Sequence, residues 1–409
     1  MPDQEILISI QVEDRIPTKS QPIEIVERKG KGHPDSLCDA LVENASLALN
    51  QLYLEYTGHI LHYNLDKGLL AAGQASPDFG GGEVRIPMKM IFGDRATFQY
   101  LEKEIPVWDT VVHAARQWIA HTFRSLDPNR HIIFQNEMRP GSAELISTFT
   151  HFNQVLKAND TSAAVGFAPP TPTERLVISL DQYLQSSSFQ EQFPAAGQDI
   201  KIMAVRKEHS LDLTISLAMI AQFVTSEKSY FEQKEFICNK LVQFIQPQID
   251  TSVLDLRLNT LDQPGKGIDG VYLTVTGTAA EQGDSGQVGR GNRSNGLICL
   301  HRPQSSEAAP GKNPVSHVGK IYNHLAFLLA EDIYHELEEA AEVSVWLTSR
   351  IGEPVNHPSL IAVELIPEKG KPLAEGYREG IRSLVNQHLE MLPEFCNRLI
   401  SGEISSLSP

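Results

Sequence analysis

Residues 30 to 35, Gly-Lys-Gly-His-Pro-Asp, place His33 and Asp35 directly ahead of a long apolar-periodic run. Pro34 suits the first position of a helix, because its φ is fixed and the missing N–H would have no partner there. The free N–H groups and dipole of a helix start attract anions, and a nearby carboxylate can hold Mg²⁺. The motif therefore indicates a site for a nucleotide triphosphate with Mg²⁺. The alternative is an ordinary helix start in which Asp35 only stabilises the first turn.

A second candidate is the segment EQGDSGQVGRGNRSNG, residues 281–296, which contains five glycines together with Asp284, Arg290 and Arg293. Glycine-rich backbone can turn its N–H groups inward around an anion, and arginine offers forked donors to phosphate oxygens. Asp284 could bind a metal ion or a ligand ammonium. The alternative is a flexible surface loop. The spacing is not that of a Walker motif, which needs Gly-Lys-Ser/Thr.

A third candidate is APGKNPVSHVGKIYN, residues 309–323, in which Pro314 is expected to open another long helix. Lys312 precedes this helix, and His317 and Lys320 are spaced to share a face. All three could contact a polyphosphate, or they could form a solvated helix start. The Gly-Lys turn before proline repeats the first motif, which indicates either related domains or common helix-start chemistry. Asp160 lies in KANDTSAAVGFAP, where a turn aspartate is the ordinary interpretation.

The composition limits the possible functions. The chain has 409 residues, 41% of them hydrophobic and 21% charged, which is typical of a globular protein. Its net charge of −16 argues against broad binding to nucleic acids or acidic membranes. The four cysteines are far apart and not in metal-like spacing, so we expect free thiols in a reducing compartment. No segment looks like a signal peptide or a membrane span. We therefore predict a cytoplasmic protein without nucleic-acid or membrane partners.

Helical and strand patterns alternate along the chain and predict an α+β fold with mixed or antiparallel sheets packed by helices. A helix is predicted from Pro34 to just before Gly58. The remaining predicted helices are 107–124, 173–187, 227–245, a long helix after Pro314, and 371–398. The predicted strands are an N-terminal strand, 83–93, 130–135, 199–205, 211–220, 270–278, 343–349 and 360–365.

Taken together and in order, ERKGKGHPDSLCD, FGGG, NDTSAAVGFAP, TERLV, VYLTVTGTAAEQGDSGQVGRGNR and GKNPVSHVGKIYN resemble the archaeal-type S-adenosylmethionine synthetases (methionine adenosyltransferases). The resemblance implies three similar α+β subdomains about a pseudo-threefold axis, which we place at 1–150, 151–265 and 266–409, with the possibility that they intertwine. It also implies a homodimer with active sites between subunits, Mg²⁺, and K⁺. The implied reaction converts ATP, L-methionine and water into S-adenosylmethionine, phosphate and pyrophosphate.

The resemblance also implies roles for individual residues. His33 would lie by the ribose and the bond that breaks, and Asp35 would bind Mg²⁺. Asp160 would contact the nucleoside or methionine, and Asp284 the methionine ammonium. Arg290 and Lys312 would hold the triphosphate. The more widespread branch of the family suggests further contacts: Arg293, His317, Lys320 and Arg206 for the triphosphate, Gln74 for methionine, and Asp66 with Asn64 for the monovalent cation.

One departure from the family pattern concerns a nucleotide-binding segment, usually Gly-x-Gly-Ser-x-Asp. Here it reads RPGSAE, so that Arg139 replaces the first glycine and Glu144 the aspartate, while Gly141 and Ser142 are kept. Nucleotide affinity or substrate choice would then differ, or the segment matters less than supposed. The alternatives to the synthetase are an ATP-binding pseudoenzyme on this fold and a tripolyphosphate hydrolase.

Overall fold

A computed structural model describes residues 6–142, 149, 155–250 and 253–407. The helices in this part of the chain are α1 (Pro34–Thr57), α2 (Val107–Thr122), α3 (Pro172–Gln185), α4 (Ser187–Gln192), α5 (Glu227–Ile245), α6 (Val318–Glu336), α7 (Tyr377–Glu390) and α8 (Leu392–Ser401). Helix α1 ends where Gly58 adopts a left-handed conformation, as its position after the apolar run predicted. None of the helices in the described ranges is long and apolar enough to cross a bilayer.

The strands in the same ranges are β1 (Ile8–Val12), β2 (Ile23–Lys29), β3 (Gly68–Ala71), β4 (Gln74–Asp78), β5 (Gly81–Ile86), β6 (Met88–Arg95), β7 (Gln99–Tyr100), β8 (Lys103–Glu104), β9 (Ile132–Arg139), β10 (Ala163–Ala168), β11 (Ala196–Lys207), β12 (Ser210–Ile220), β13 (Val253–Leu258), β14 (Leu273–Thr274), β15 (Gly286–Gln287), β16 (Ile298–Cys299), β17 (Ala340–Thr348) and β18 (Leu360–Pro367). They form three larger sheets, with strand orders β1-β18-β17-β10, β13-β12-β11-β2-β16 and β15-β3-β6-β9. Each sheet contains both parallel and antiparallel pairs. The predicted α+β class with mixed sheets is confirmed.

Each large sheet buries one hydrophobic core against helices. The β1-β18-β17-β10 sheet packs with α6, α7 and α8, the five-strand path around β11 packs with α3, α4 and α5, and the β15-β3-β6-β9 sheet packs with α1 and α2. Sheet membership crosses the predicted limits at residues 150 and 265, because β1 and β10 both join the sheet of β17 and β18. The subdomains are therefore interleaved along the chain, and their pseudo-threefold relation stays a prediction.

Two predicted strands differ from the structure. The run 83–93 is split at Pro87, which has no N–H for a continuous ladder; β5 pairs with β4, whereas β6 pairs with β3 and β9. As a result Ile86 is 55% exposed while Met88 is fully buried. The run 270–278 forms a strand only at Leu273–Thr274, because the Glu281 carboxylate accepts the next two backbone N–H groups at 2.6 Å each.

Two predicted helices also differ. The helix expected to open at Pro314 begins at Val318, because residues 314–316 form a separate turn, closed by the His317 N–H donating to the Asn313 carbonyl at 3.2 Å. The helical stretch 371–398 begins only at Tyr377 and is divided around Met391 into α7 and α8, with Pro393 in the first turn of the second helix, where proline is tolerated.

Candidate active site

The Gly-Lys-Gly-His-Pro-Asp turn packs against the start of β11. The Gly32 N–H donates to the Gln198 carbonyl at 2.9 Å, and a Cβ on Gly32 would lie 2.4 Å from the Asp199 nitrogen. Gly32 is therefore required because the turn packs closely against β11, and not only because a ligand could approach the backbone there. His33 caps α1, and its Nδ1 accepts the Asp35 N–H at 3.2 Å. The neutral ring then carries its proton on Nε2.

This packing brings His33 together with Asp199, Lys201 and Asp284 around one cavity of about 500 Å³. The sequence indicated His33 and Asp284, whereas Asp199 and Lys201 were missed. The sequence Asp-Ile-Lys within a predicted strand could have indicated that these two charged side chains share a face, because residues two apart in a strand point to the same side of the sheet. What the sequence did not show was that this face lies beside the His33 turn.

Burial and neighbouring charges shift the pKa values of these groups. Burial, helped by Lys29 and Lys201, lowers the pKa of His33 to about 4, so the ring is neutral near pH 7. Burial also raises the pKa of Asp199 to about 7. The pKa of Asp284 is raised by burial and then by the Asp35 charge. The cavity thus holds a neutral imidazole donor beside acidic groups that favour a cation or an ammonium.

Helix α1 carries three carboxylates, Asp35, Asp39 and Glu43, four residues apart on one face. Asp35 accepts the Gln287 N–H at 3.0 Å and pairs with the Lys29 ammonium at 2.9 Å. Three N–H groups of the glycine-dense loop, those of Gln287, Gly289 and Gly291, donate to carboxylates of α1 and so are not free to form an anion nest. Lys29, 8% exposed, was missed, and so was the four-residue acidic spacing.

Asp39 accepts the N–H groups of Gly289 and Gly291, at 2.8 and 3.2 Å. Burial raises the pKa of Asp39 to about 7, although these two donors oppose the shift. Between the two glycines, Arg290 is exposed, and its guanidinium has no protein partner in the described part of the chain. Arg293 instead donates to the Gly289 carbonyl at 2.8 Å and lines a separate small cavity with Asp39.

A second group surrounds Lys312, which is 1% exposed. Its ammonium lies 3.3 Å from Asp66 and also pairs with Glu307. Burial alone would raise the pKa of Asp66, but Lys312 and Lys67 outweigh it and lower that pKa. His317 caps α6 as His33 caps α1, with Nδ1 accepting the Gly319 N–H at 3.2 Å. Both helices are thus capped by a histidine, whereas proline is the first residue of α1 but not of α6.

Lys320 follows in the first turn of α6 and pairs with both Glu43 oxygens at 2.8 Å. Glu43 also accepts the Gly311 N–H at 2.8 Å, which ties the Lys312 segment to α1. Since Asp35 and Glu43 are eight residues apart, the two groups lie about 12 Å apart along the helix. Within one chain, Arg290 and Lys312 therefore belong to different groups, although α1 connects them.

The remaining predicted residues are distributed around these groups. Asp160 lies near the second one, because the neighbouring Asn159 N–H donates to the Ser316 carbonyl at 3.2 Å. Gln74 lies beside the Asp284 loop, since the Gly73 N–H donates to the Ala280 carbonyl at 2.8 Å.

Arg206 is not brought to either group. It pairs with Glu24 at 3.0 Å, at the far end of β11, about 17 Å along the strand from Lys201. Gly141 and Ser142 come just after the end of β9 at Arg139. Glu144 lies outside the described residues, so its predicted role stays a prediction.

Comparison with known proteins agrees with this architecture. The family model for S-adenosylmethionine synthetase (AdoMet synthetase) matches residues 6–403. A probable S-adenosylmethionine synthase of Aquifex aeolicus is 43% identical over 390 residues, covering 95% of this chain and 96% of its own. The S-adenosylmethionine synthase of Hyperthermus butylicus is 43% identical over 399 residues, covering 95% of this chain and 96% of its own.

The fold is also similar to a solved structure, an unusual S-adenosylmethionine synthetase from Campylobacter jejuni. The TM-score is 0.60 and the sequence identity 14%, and the match covers 95% of this chain and 96% of the other. That likeness concerns the fold alone, whereas the family model and the relatives extend over nearly the whole sequence. The chain belongs to the S-adenosylmethionine synthetase family.

Proposed function

We propose that this protein forms S-adenosylmethionine from ATP and L-methionine and then hydrolyses the tripolyphosphate to phosphate and pyrophosphate. The observation that carries the proposal is the convergence of His33, Lys201 and Asp284 on one cavity of about 500 Å³. The exposed Arg290 belongs to the loop that follows Asp284. A cavity of this size suits a small-molecule ligand.

The first step needs alignment rather than a base. The methionine sulfur forms a bond to the ribose 5′ carbon, the carbon–oxygen bond breaks, and its electron pair leaves with the triphosphate. No proton is removed from the thioether, so the rate depends on in-line positioning and on donors that stabilise the leaving oxygen. The Nε2–H of neutral His33 is such a donor, and Lys201 and Arg290 supply positive charge. Asp284 would receive the methionine ammonium.

The residues present fit Mg²⁺. Asp35 and Asp284 repel each other, which contributes to the raised pKa of Asp284, and a cation between them would relieve this repulsion. In the described ranges no group of three acidic, histidine or cysteine side chains is arranged to hold a metal ion. Mg²⁺ does not need such a group, because it is commonly bound by one or two carboxylates together with substrate phosphates. When bound, Mg²⁺ would neutralise charge on the phosphates. Asp35 would hold it.

The residues around Asp66 fit K⁺ poorly. The Asp66 carboxylate already lies 2.6 Å from the Lys67 ammonium and 3.3 Å from that of Lys312, and Asp94 beside it is paired with Arg95 at 2.7 Å. Two ammonium groups and a guanidinium balance the carboxylates without a further ion. We therefore assign no step to K⁺.

The proposal includes a homodimer in which Lys312, His317 and Asp66 of one chain complete the site of another. Two features support it: the separation of about 12 Å between the two groups along α1, and the outer face of the β15-β3-β6-β9 sheet. On that face Leu69 is 41% and Ile133 is 50% exposed. Because β15 belongs to the loop that carries Arg290, a second copy covering this face would also reach the site.

The cytoplasmic location also remains part of the proposal. It is supported by four free cysteines, at positions 38, 238, 299 and 396, of which all but the second are buried.

The test is incubation with ATP, methionine and MgCl₂, followed by mass analysis for the sulfonium product. Methionine-dependent product separates the synthetase from a pseudoenzyme and from a tripolyphosphate hydrolase. Two variants then test the division of roles. His33→Asn should slow sulfonium formation far more than hydrolysis of added tripolyphosphate, which has no ribose carbon. Asp35→Asn should impair both activities. Equal loss of both in His33→Asn would contradict the role given to the imidazole.

A further inference from the structure

The backbone around Arg290 is held at several points although its side chain has no partner in the described part of the chain. One carboxylate, that of Asp39, accepts the N–H groups immediately before and after Arg290: Oδ1 from Gly289 at 2.8 Å and Oδ2 from Gly291 at 3.2 Å. The Arg290 carbonyl accepts from the Lys29 ammonium at 2.6 Å. Asp39 is 5% exposed and sits on the rigid first turns of α1.

The glycines on either side are explained by the same contact. Gly289 has a φ of +85°, which favours glycine. At Gly291 an added Cβ would lie 2.1 Å from the Asp39 Oδ2. The loop therefore needs glycine at this position because the carboxylate approaches the backbone so closely. Asp39 binds the N–H groups of Gly289 and Gly291, and the Gln287 carbonyl accepts that of Arg290, so at these three positions a polyphosphate can be contacted by the arginine side chain but not by the backbone.

We propose that Asp39 is a positioning residue for Arg290: it clamps the loop on both sides and so fixes where the guanidinium points. This inference rests on the role of Arg290 in the function proposed above. Asp39 itself would touch neither substrate nor metal. Its effect passes through Arg290, because a misplacement of about 1 Å in a group that stabilises a transition state can lower the rate about a hundredfold.

The experiment is a double-mutant cycle with wild type, Asp39→Asn, Arg290→Ala and the double variant, assayed at pH 8 so that Asp39 is ionised. An asparagine side chain offers one acceptor and places an NH₂ group against the other backbone N–H, which breaks the clamp. We expect Asp39→Asn to lower kcat about 10- to 100-fold in the wild-type background. In the Arg290→Ala background the same change should lower kcat less than about threefold, because effects that act through one group are not additive.

A merely structural role gives a different pattern, namely the same fold-loss in both backgrounds, and that result would overturn the proposal. Wild-type kcat in Asp39→Asn would also overturn it. The control is Asp109→Asn, an exposed aspartate in the first turn of α2, which should leave kcat unchanged. If Asp39→Asn does not fold, Gly291→Ala perturbs the same contact, and wild-type turnover in a folded Gly291→Ala would equally refute the clamp.

A second readout separates this proposal from the proposed function. Calorimetric affinity for inorganic tripolyphosphate reports on Arg290 without any sulfonium chemistry. If the wild type forms no S-adenosylmethionine, the proposed function fails. The clamp is then judged on tripolyphosphate affinity alone: it stands if Asp39→Asn weakens binding only when Arg290 is present, and fails if the weakening is the same without Arg290.

Discussion

The ion pair between Lys320 and Glu43 makes a quantitative prediction about stability. Both side chains are almost fully buried, at 1% and 2% exposed, and the ammonium lies 2.8 Å from the nearer Glu43 oxygen. Among the residues that the structure describes, Lys320→Met would leave the carboxylate with the Gly311 N–H as its remaining donor. Removing one partner of a buried pair costs about 3–5 kcal/mol, because the other charge stays buried without compensation.

The expected change in melting temperature follows from the chain length. At about 2.1 cal/mol/K per residue, unfolding 409 residues has an entropy of about 0.86 kcal/mol/K. A loss of about 3–5 kcal/mol then lowers Tm by about 3–6 °C. The double variant Glu43→Gln/Lys320→Met keeps an acceptor for the Gly311 N–H and removes both charges. We expect it to be more stable than the sum of the single changes, by a coupling of at least about 1 kcal/mol.

Calorimetry or tryptophan fluorescence on heating would measure these shifts. The matched control is Lys228→Met, which breaks a surface pair with Glu232 whose side chains are 85% and 57% exposed; its Tm should change by less than about 1 °C. Two results would refute the reasoning: a Lys320→Met shift no larger than that of the control, or losses in the double variant that simply add.

Three further predictions concern activity, assembly and pH. Arg290→Ala should lower kcat about 100- to 1000-fold with Tm unchanged, since it removes a charged donor to the leaving group; near-normal turnover would remove Arg290 from the site. Leu69→Lys combined with Ile133→Lys should give a monomer by light scattering with little activity, whereas a fully active monomer would contradict the shared site. Burial lowers the pKa of His324 to about 4 from about 6.5, so its contribution to stability is complete above pH 6.5 and is lost as pH falls towards 4, by up to about 3 kcal/mol. Relative to His324→Gln, the wild type should therefore have a lower Tm at pH 4.5 than at pH 7.5. A Tm difference between the two proteins that does not change with pH would contradict this.

Local sequence determined much of the scaffold. The proline, the apolar spacing and Gly58 defined α1 at both ends, and the helices at 107–122, 172–185 and 227–245 followed from periodicity to within two residues. The motif residues and their family were also evident in the letters. Where the local pattern was wrong at 270–278, a side chain just beyond the predicted strand had taken its backbone donors: the Glu281 carboxylate accepts the N–H groups of Val275 and Thr276.

The grouping of the site residues was decided by tertiary structure. Asp199 and Lys201 meet His33 because the Gly32 turn packs on β11, more than 160 residues away in the chain. Arg206, on the same strand, is carried to its other end, where Glu24 holds it. The acidic spacing of α1 was visible in the sequence, but its partners come from loops more than 240 residues further on. Sequence patterns report contacts within a helix or strand, whereas hydrogen bonds between distant segments set which side chains converge.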